Sequence, residues 1–539
     1  MNEEIEEYYE ELYRLYIDEN QPLERRYRQL RESLERVVRE KIQGNSLQTT
    51  DLAARINYVA TQYGLDLKEQ NQLHTFRLTS NDILNHRKSP VKEEFLRDLR
   101  AVAYAYRKMF AQDIPLKLFS VLPKQEIASS GKKEKMEYIR RIRVCFDYAD
   151  DTYLYVHPVD VIADEPIRVV YNKPGINHEF EETIKELWRY AQLNLLDVSV
   201  DRDGIYTPSF IVLEPDYLID ISSLAECYKD YGSHPANYFL SRLVPIDNAR
   251  PLLLGNIANL FLDEWIHAGE EEPDYIDCMK KAFRQYPIEL AACAELRDPS
   301  KEKEFAKDCR MHFEHIRDVV QHTFLEPGYN LDKKEAVLEP SYICEALGIQ
   351  GRLDYMQRDM SSFIEMKSGK ADEFSMQGKV EPKENNKVQM LLYMAVLEYS
   401  MGQDRRCMHP YLLYTRYPLL YPARASWAQV RRVINLRNRI VAAEYGVQFH
   451  NHPDFTRNLL AQINPEVVNE RKLSGRFWEQ YLKPSISRFR EKLSALEPLE
   501  QAYFYTLYNF ITKELYTSKS GDVDYEGRAG ASALWLSTL

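Results

Sequence analysis

The chain has no C-x-x-C pair. Its 7 cysteines, Cys145, Cys227, Cys278, Cys293, Cys309, Cys344 and Cys407, are odd in number and scattered, which excludes a disulfide scaffold and a zinc knuckle and reads as a set of reduced thiols. No run approaches the roughly 18–20 apolar residues that span a bilayer. The opening MNEEIEEYYEEL is acidic where a secretory signal is basic and then apolar, so the expectation is a cytoplasmic protein without a membrane partner. Basic charge is also short: 83 acidic against 71 basic residues leave a net charge of −12, which argues against indiscriminate coating of nucleic acid. Two local basic stretches remain, Lys132, Lys133, Lys135, Arg140, Arg141 and Arg143, then Arg431, Arg432, Arg437 and Arg439. Each reads either as a phosphate-binding patch or as a solvated face. No internal repeat, low-complexity tract or G-x-x-x-x-G-K-[ST] phosphate loop occurs, so no ATP site is expected in this chain.

What is present suits several packed cores. At 539 residues, 44% hydrophobic and 29% charged, the chain should form two to four soluble domains. Helical spacing through EEYYEELYRLYIDEN and ERRYRQLRESLERVVREKI predicts a helical module over 1–112, with Ser80 as a helix cap. The runs RIRVCFDY, DTYLYVHPVDVIA and IRVVYN, punctuated by Asp, Pro and Gly, predict a small β-barrel over 113–215. Strands and helices mix over 216–446, and helical period returns over 447–539. The fold class is therefore multidomain α+β.

The chemistry concentrates in GIQGRLDYMQRDMSSFIEMKSGK. It reads as a strand ending near Asp354, a turn from Gln357 to Ser362, and a strand SFIEMK stopped at Ser368 and Gly369. Residues two apart on a strand share a face, so Glu365 and Lys367 point together while Ile364 and Met366 turn away. Asp354 adds a second carboxylate, giving the oxygen-rich site that Mg²⁺ or Mn²⁺ prefers, with the backbone carbonyl of Met366 as a further ligand. Lys367 is placed to orient water or stabilise developing charge in phosphodiester hydrolysis. In KENNKVQMLLYMAVLEY, Gln389 and Tyr393 lie one helical turn apart on one face. The alternative is an ordinary hairpin salt-bridge set, which the following Q-x-x-x-Y makes the weaker reading.

At these residues the chain resembles the RecB-type branch of the PD-(D/E)XK nucleases, whose pattern is G-x-x-D, E-x-K and Q-x-x-x-Y: here Gly351 to Asp354, Glu365 to Lys367, and Gln389 to Tyr393. PDYLIDISSLAECY, LLLGNIANLFLDEW, YLLYTRYPLL and VINLRNRIV are similar to the nuclease half of replication and repair nuclease-helicases. The resemblance implies a restriction-endonuclease-like α/β core, preceded by an oligonucleotide-binding type of barrel in which Tyr148, Tyr153 and Tyr155 are candidate base-stacking residues. It further implies a metal-dependent deoxyribonuclease acting on single-stranded ends or flaps in repair, replication or defence. Arg352, Lys370, Arg437 and Arg439 become candidate DNA contacts. The family's G-x-x-x-H metal-ligand motif falls on Gly255 to Asn259, where asparagine replaces histidine, and Asp263 one turn on is a compensating carboxylate. The family's iron–sulfur site needs three cysteines after the Q-x-x-x-Y helix, and none follows Cys407, so no cluster is expected. The motor of such relatives is expected on a further segment or a helicase partner, which the apolar SALWLSTL favours, or else the protein works without one. A catalytically weakened DNA-binding subunit is the alternative.

Overall fold

The computed structural model describes residues 3–18, 20–42, 52–84, 86, 88–123, 137–159, 166–244, 250–329, 331–371, 381–423, 426–450 and 452–520, in two units, Met1–Lys135 and Met136–Leu539. In the first unit the helical spacing becomes α1 (Glu3–Ile17), α2 (Leu23–Ile42), α3 (Leu52–Gln62), α4 (Leu67–Leu84), α5 (Lys92–Phe110) and the single turn α6 (Leu116–Phe119). α2 shows the cause. Tyr27, Leu30, Leu34, Val37 and Val38 form one buried stripe, while Arg28, Glu32, Arg36 and Arg39 face water, the pattern of an amphipathic helix. The Tyr27 hydroxyl donates to Asp98 at 3.1 Å, and burial pushes the Asp98 carboxyl up to about 6 despite the neighbouring Arg97. Ser80 caps nothing. It lies inside α4 and returns its hydroxyl to the Arg77 carbonyl at 3.0 Å, as serine does when a helix continues past it. With α6 included, the helical unit runs beyond residue 112.

The second unit begins with β1 (Glu137–Ala149), β2 (Tyr153–Pro158) and β3 (Ile167–Val170), passes the turn α7 (Glu181–Lys185), and continues as β4 (Gln192–Val200), β5 (Tyr206–Thr207) and β6 (Phe210–Leu213). The order β1-β2-β3-β5-β4, with β4 pairing back onto β1 from Glu137↔Val200 to Cys145↔Gln192, closes a five-stranded barrel. Val144, Phe146, Leu154, Val156 and Val169 fill it, alternating as strands with one inner face must. β4 is buried over Leu193–Leu196. The Asn194 amide on it donates to the carbonyls of Glu345 and Ala346 at 3.1 and 3.2 Å, so the barrel is keyed onto a turn some 150 residues further along the chain.

That key corrects one basic stretch. Arg141 pairs with Glu345 at 3.0 Å, Arg143 forks onto Asp216 at 3.2 and 2.6 Å, and Arg140 donates to the Glu398 carbonyl at 2.8 Å. These three guanidiniums join segments of the chain and do not form a phosphate patch. Lys132, Lys133 and Lys135 lie outside the described residues, as does SALWLSTL.

The remainder runs β7 (Ile219–Asp220), α8 (Ile221–Ala225), α9 (Ala236–Leu243), α10 (Arg250–His267), α11 (Tyr275–Gln285), α12 (Pro287–Ala292), α13 (Pro299–Gln321), β8 (Ala336–Leu338), β9 (Ser341–Cys344), β10 (Ile349–Arg352), β11 (Tyr355–Gln357), β12 (Ser362–Lys367), α14 (Glu384–Met401), β13 (His409–Tyr414), β14 (Leu419–Pro422), α15 (Trp427–His450), α16 (Pro453–Ala461), α17 (Pro465–Val468), α18 (Lys483–Ser494) and α19 (Pro498–Ser520). The five-stranded sheet β14-β13-β12-β11-β8 is antiparallel except for β12 beside β13. A small sheet β7-β10-β9 adjoins it. β12 is buried on both faces: Phe363 joins the apolar cluster of Val388, Leu391 and Leu412, and Ile364 and Met366 join that of Leu253, Ile257 and Phe313. Helices therefore cover both sides of the strand that carries the candidate chemistry. The boundary expected at residue 446 falls inside α15, which runs on to His450 and ties the C-terminal helices to the core. No described helix is long and apolar enough to cross a membrane.

Candidate active site

Asp354 follows β10 and precedes β11 rather than ending a strand. Its Oδ2 accepts the backbone N–H of Met366 at 2.6 Å, which fastens the carboxylate beside β12. On the α14 side of β12 the Lys367 ammonium donates to Glu365 Oε1 and to Gln389 Oε1, each at 2.8 Å. Gln389 Nε2 in turn donates to the same Glu365 oxygen at 2.7 Å. Three polar side chains from two elements thus close a triangle, and Asp354 stands at its edge. Tyr393, one turn along α14, donates to the Arg352 carbonyl at 2.5 Å and lies against Gly351, where an added Cβ would meet its hydroxyl at 3.0 Å. Glycine is required there by that close approach.

The electrostatics follow from burial. Glu365 is 3% exposed; burial first, and the Asp354 carboxylate second, push it up to about 8, against the pull of Lys367. Asp354 is raised as well, again by burial, with the Met366 N–H opposing. Burial disfavours the Lys367 charge, yet the Glu365 carboxylate holds it above the ordinary lysine range. Glu365 Oε2 is buried with no hydrogen-bond partner among the described residues, an arrangement that costs about 1–3 kcal/mol when nothing satisfies the atom. Among the described residues no group of three or more His, Cys, Asp or Glu is placed to hold a metal ion. The two raised carboxyls and the orphaned oxygen are nonetheless the donor chemistry a hard divalent cation takes up, so Asp354 and Glu365 fit the implied Mg²⁺ or Mn²⁺.

The raised acid makes a prediction in chelator. Glu365 ionises near 4.5 when unfolded and near 8 when folded, so its protonated form favours the native state fully below about pH 4.5. That stability is lost as pH rises through 8. Glu365→Gln removes the titration, and calorimetry should show it gaining on the wild type from pH 5 to pH 8.5, by on the order of 3 kcal/mol. Parallel melting-temperature profiles for the two proteins would rule out the buried acid.

On α10, Gly255 places its Cα within one methyl of the Ser368 hydroxyl, which brings this helix to the end of β12. Asn259 is half-buried, and its amide has no hydrogen bond among the described residues. Asp263 is raised to about 6 by burial first, and further by the carboxylates of Glu339 and Asp354. Two acids escaped the sequence reading. Glu339, with φ +48, donates its N–H to the Asp354 carbonyl at 3.0 Å and pairs with Arg352 at 3.1 Å. Its left-handed backbone just before Pro340 shows only in the structure, since a residue before proline is expected to be extended, and no signal in the sequence marks it. Glu226 accepts Asn385 Nδ2 at 3.1 Å, one turn before Gln389, and nothing in its surroundings in sequence marks it.

The four candidate DNA contacts separate. Arg352 and Lys370 are exposed near the site. Arg439 is half-buried and pairs with Glu186 at 3.5 Å. Arg437 is wholly buried and donates to the carbonyls of Gly348, Glu214 and Tyr217 at 3.1, 2.8 and 2.6 Å, and to that of Leu213. A guanidinium saturated by interior carbonyls does not reach a DNA backbone, so that assignment is withdrawn. Arg431 likewise pairs inward with Glu179 at 3.0 Å. On the barrel, Tyr148 and Tyr155 stack with centroids 4.3 Å apart and planes 13° apart, and Arg168 lies 5.8 Å over the Tyr153 ring. No family model and no curated protein matches the chain.

Proposed function

We propose that this protein is a metal-dependent deoxyribonuclease of the PD-(D/E)XK type, acting on single-stranded ends or flaps. The observation that carries the reading is the Lys367–Glu365–Gln389 triangle, built from β12 and α14, with Asp354, just before β11, held beside it by the Met366 N–H. Asp354 and Glu365 would hold Mg²⁺ or Mn²⁺, with the Met366 carbonyl as a further donor, and Asn259 and Asp263 lie on the α10 side. A bound divalent ion supplies Lewis-acid polarisation of the scissile phosphate and a more acidic water. Lys367 has two of its three N–H bonds fixed by Glu365 and Gln389, leaving the third for a phosphate oxygen or the attacking water. Gln389 holds the Lys367 and Glu365 head groups in one orientation, and Tyr393 anchors the Arg352–Asp354 turn. The barrel's strand order, and the exposed Tyr148 with its stacked partner Tyr155, suit an oligonucleotide-binding barrel that tracks a single strand.

Labelled single-stranded and flapped DNA should be cut in Mg²⁺ or Mn²⁺, spared in chelator, and spared by Asp354→Ala. Equal substrate loss with wild type and Asp354→Ala sinks the reading. Asn259 favours the weaker form of it, a DNA-binding subunit with a poor metal site that works beside a helicase partner. Asn259→His separates the two: tighter Mn²⁺ binding accompanied by faster cutting supports the nuclease, and tighter binding with no cutting supports the binding subunit.

A further inference from the structure

Among the described residues α19 buries one face and leaves the other exposed. Tyr505, Asn509 and Thr512 are buried, and the ring of Tyr516 packs 4.8 Å from that of Tyr445. The opposite face carries Leu499, Ala502, Tyr503, Thr506, Leu507, Phe510 and Ile511, all exposed, with Tyr503 at 69% and Phe510 at 58%. Their spacing of three and four makes one continuous stripe about 18 Å long at 1.5 Å per residue. Contiguous apolar surface of this kind on a folded chain marks an interaction site.

The order of residues along the stripe says what fits it. Two helices that pack antiparallel about a two-fold axis bring together residues equidistant from the axis. With the axis between Thr506 and Leu507, Tyr503 meets Phe510, Ala502 meets Ile511, and Thr506 meets Leu507, each twice. Every pair sets a small side chain against a large one or a ring against a ring. At the flanks Leu499 lies along the stem of Glu514, and the Glu500 carboxylate comes opposite the Lys513 ammonium, so the ends are complementary in charge.

We propose that this face of α19 is the contact for a second copy of the chain, in an antiparallel two-fold dimer centred between Thr506 and Leu507. The stripe offers roughly 600 Å² of apolar surface per protomer, somewhat below the ~800 Å² per partner of a standard stable interface. The dimer is therefore concentration-dependent. It stands apart from the nuclease reading and needs no metal or DNA.

Sedimentation velocity on the full chain, from sub-micromolar to high micromolar concentration, should show the mass rising from 63.6 kDa towards twice that value. Tyr503→Glu with Phe510→Glu changes only exposed positions and should hold the chain a monomer with an unchanged circular-dichroism spectrum. Register is read by charge exchange: Ala502→Glu alone and Ile511→Lys alone should each weaken association at least tenfold, and the double variant should recover most of it. Positions 502 and 511 are too far apart to pair within one helix. A monomer across the whole range overturns the proposal, and so does a dimer indifferent to Tyr503→Glu with Phe510→Glu. Loss in both single variants without recovery in the double overturns the antiparallel register.

Discussion

If the proposed nuclease reading holds, replacing Lys367 with methionine should lower the single-turnover rate of DNA cleavage by about 10³-fold or more while leaving metal binding and the fold in place. The size follows from what the ammonium does. Among the described residues it is the one cation in direct contact with Glu365, at 2.8 Å, in a buried site where a charge-assisted hydrogen bond to a developing oxyanion is worth far more than in water. The fold tolerates the change for a separate reason. With the ammonium gone, Glu365 Oε1 still accepts Gln389 Nε2 at 2.7 Å, and burial keeps the Glu365 proton in place near neutral pH, so no unpaired buried charge is created. Gln389→Ala should be milder, on the order of 10-fold to 100-fold, because it loosens the orientation of Lys367 without removing it. The check is rate against metal concentration. A Lys367→Met protein that cuts within tenfold of the wild type at saturating Mg²⁺ removes Lys367 from the chemistry.

The residues that made this site readable are those with strict short-range geometry. Glu365 and Lys367 share a face because a strand alternates, and Gln389 and Tyr393 share one because a helix turns every 3.6 residues. Both relations hold whatever the rest of the chain does, and the helical module and the barrel strands were legible for the same reason. Asp354 was placed correctly beside Glu365, but the bond that fixes it there, from the Met366 N–H, depends on how two segments pack. Glu226 and Glu339 were missed because their relevance comes only from tertiary contacts with Asn385, Asp354 and Arg352. Charge was the poorest guide. The basic stretches at Arg140–Arg143 and Arg431–Arg439 are indistinguishable in sequence from a phosphate patch, and only the carboxylates and carbonyls opposite them, 73 to 258 residues away in the chain, show that they hold segments together.

Arg437 is the extreme of that error and sets the largest stability effect expected in the molecule. Burial pulls its guanidinium down to about 10, which still leaves it charged at any physiological pH, and carbonyls from the end of the barrel and from the loop before β10 surround it. Asn438 beside it donates to the Ile211 carbonyl at 2.7 Å and accepts the Leu213 N–H at 3.0 Å, so two successive residues of α15 bind β6, the strand paired to β4 outside the closed barrel. Arg437→Leu keeps the bulk of the stem but takes one donor from each of four carbonyls; those of Gly348 and Glu214 keep the backbone N–H of Ile219 and Tyr217, at 3.1 and 3.0 Å, so the cost falls mainly on those of Leu213 and Tyr217 and on the lost anchoring of the fork. The expected loss is about 3–5 kcal/mol by denaturant titration. Arg437→Lys should recover little of it, since one ammonium cannot reproduce a planar fork that reaches four acceptors. Gly348→Ala tests the same junction from the other side. Gly348 has φ +66, and a Cβ there would run into the Arg437 guanidinium, so strain and the displaced fork should together cost a comparable amount. Arg439→Ala, which removes only a partly exposed pair with Glu186, should change stability by less than about 1 kcal/mol. If Arg437→Leu unfolds at the same denaturant concentration as Arg439→Ala, the buried guanidinium does not join β6 to the loop before β10; a separation of several kcal/mol makes it the joint on which the placement of β10, and so of Asp354 beside Glu365, depends.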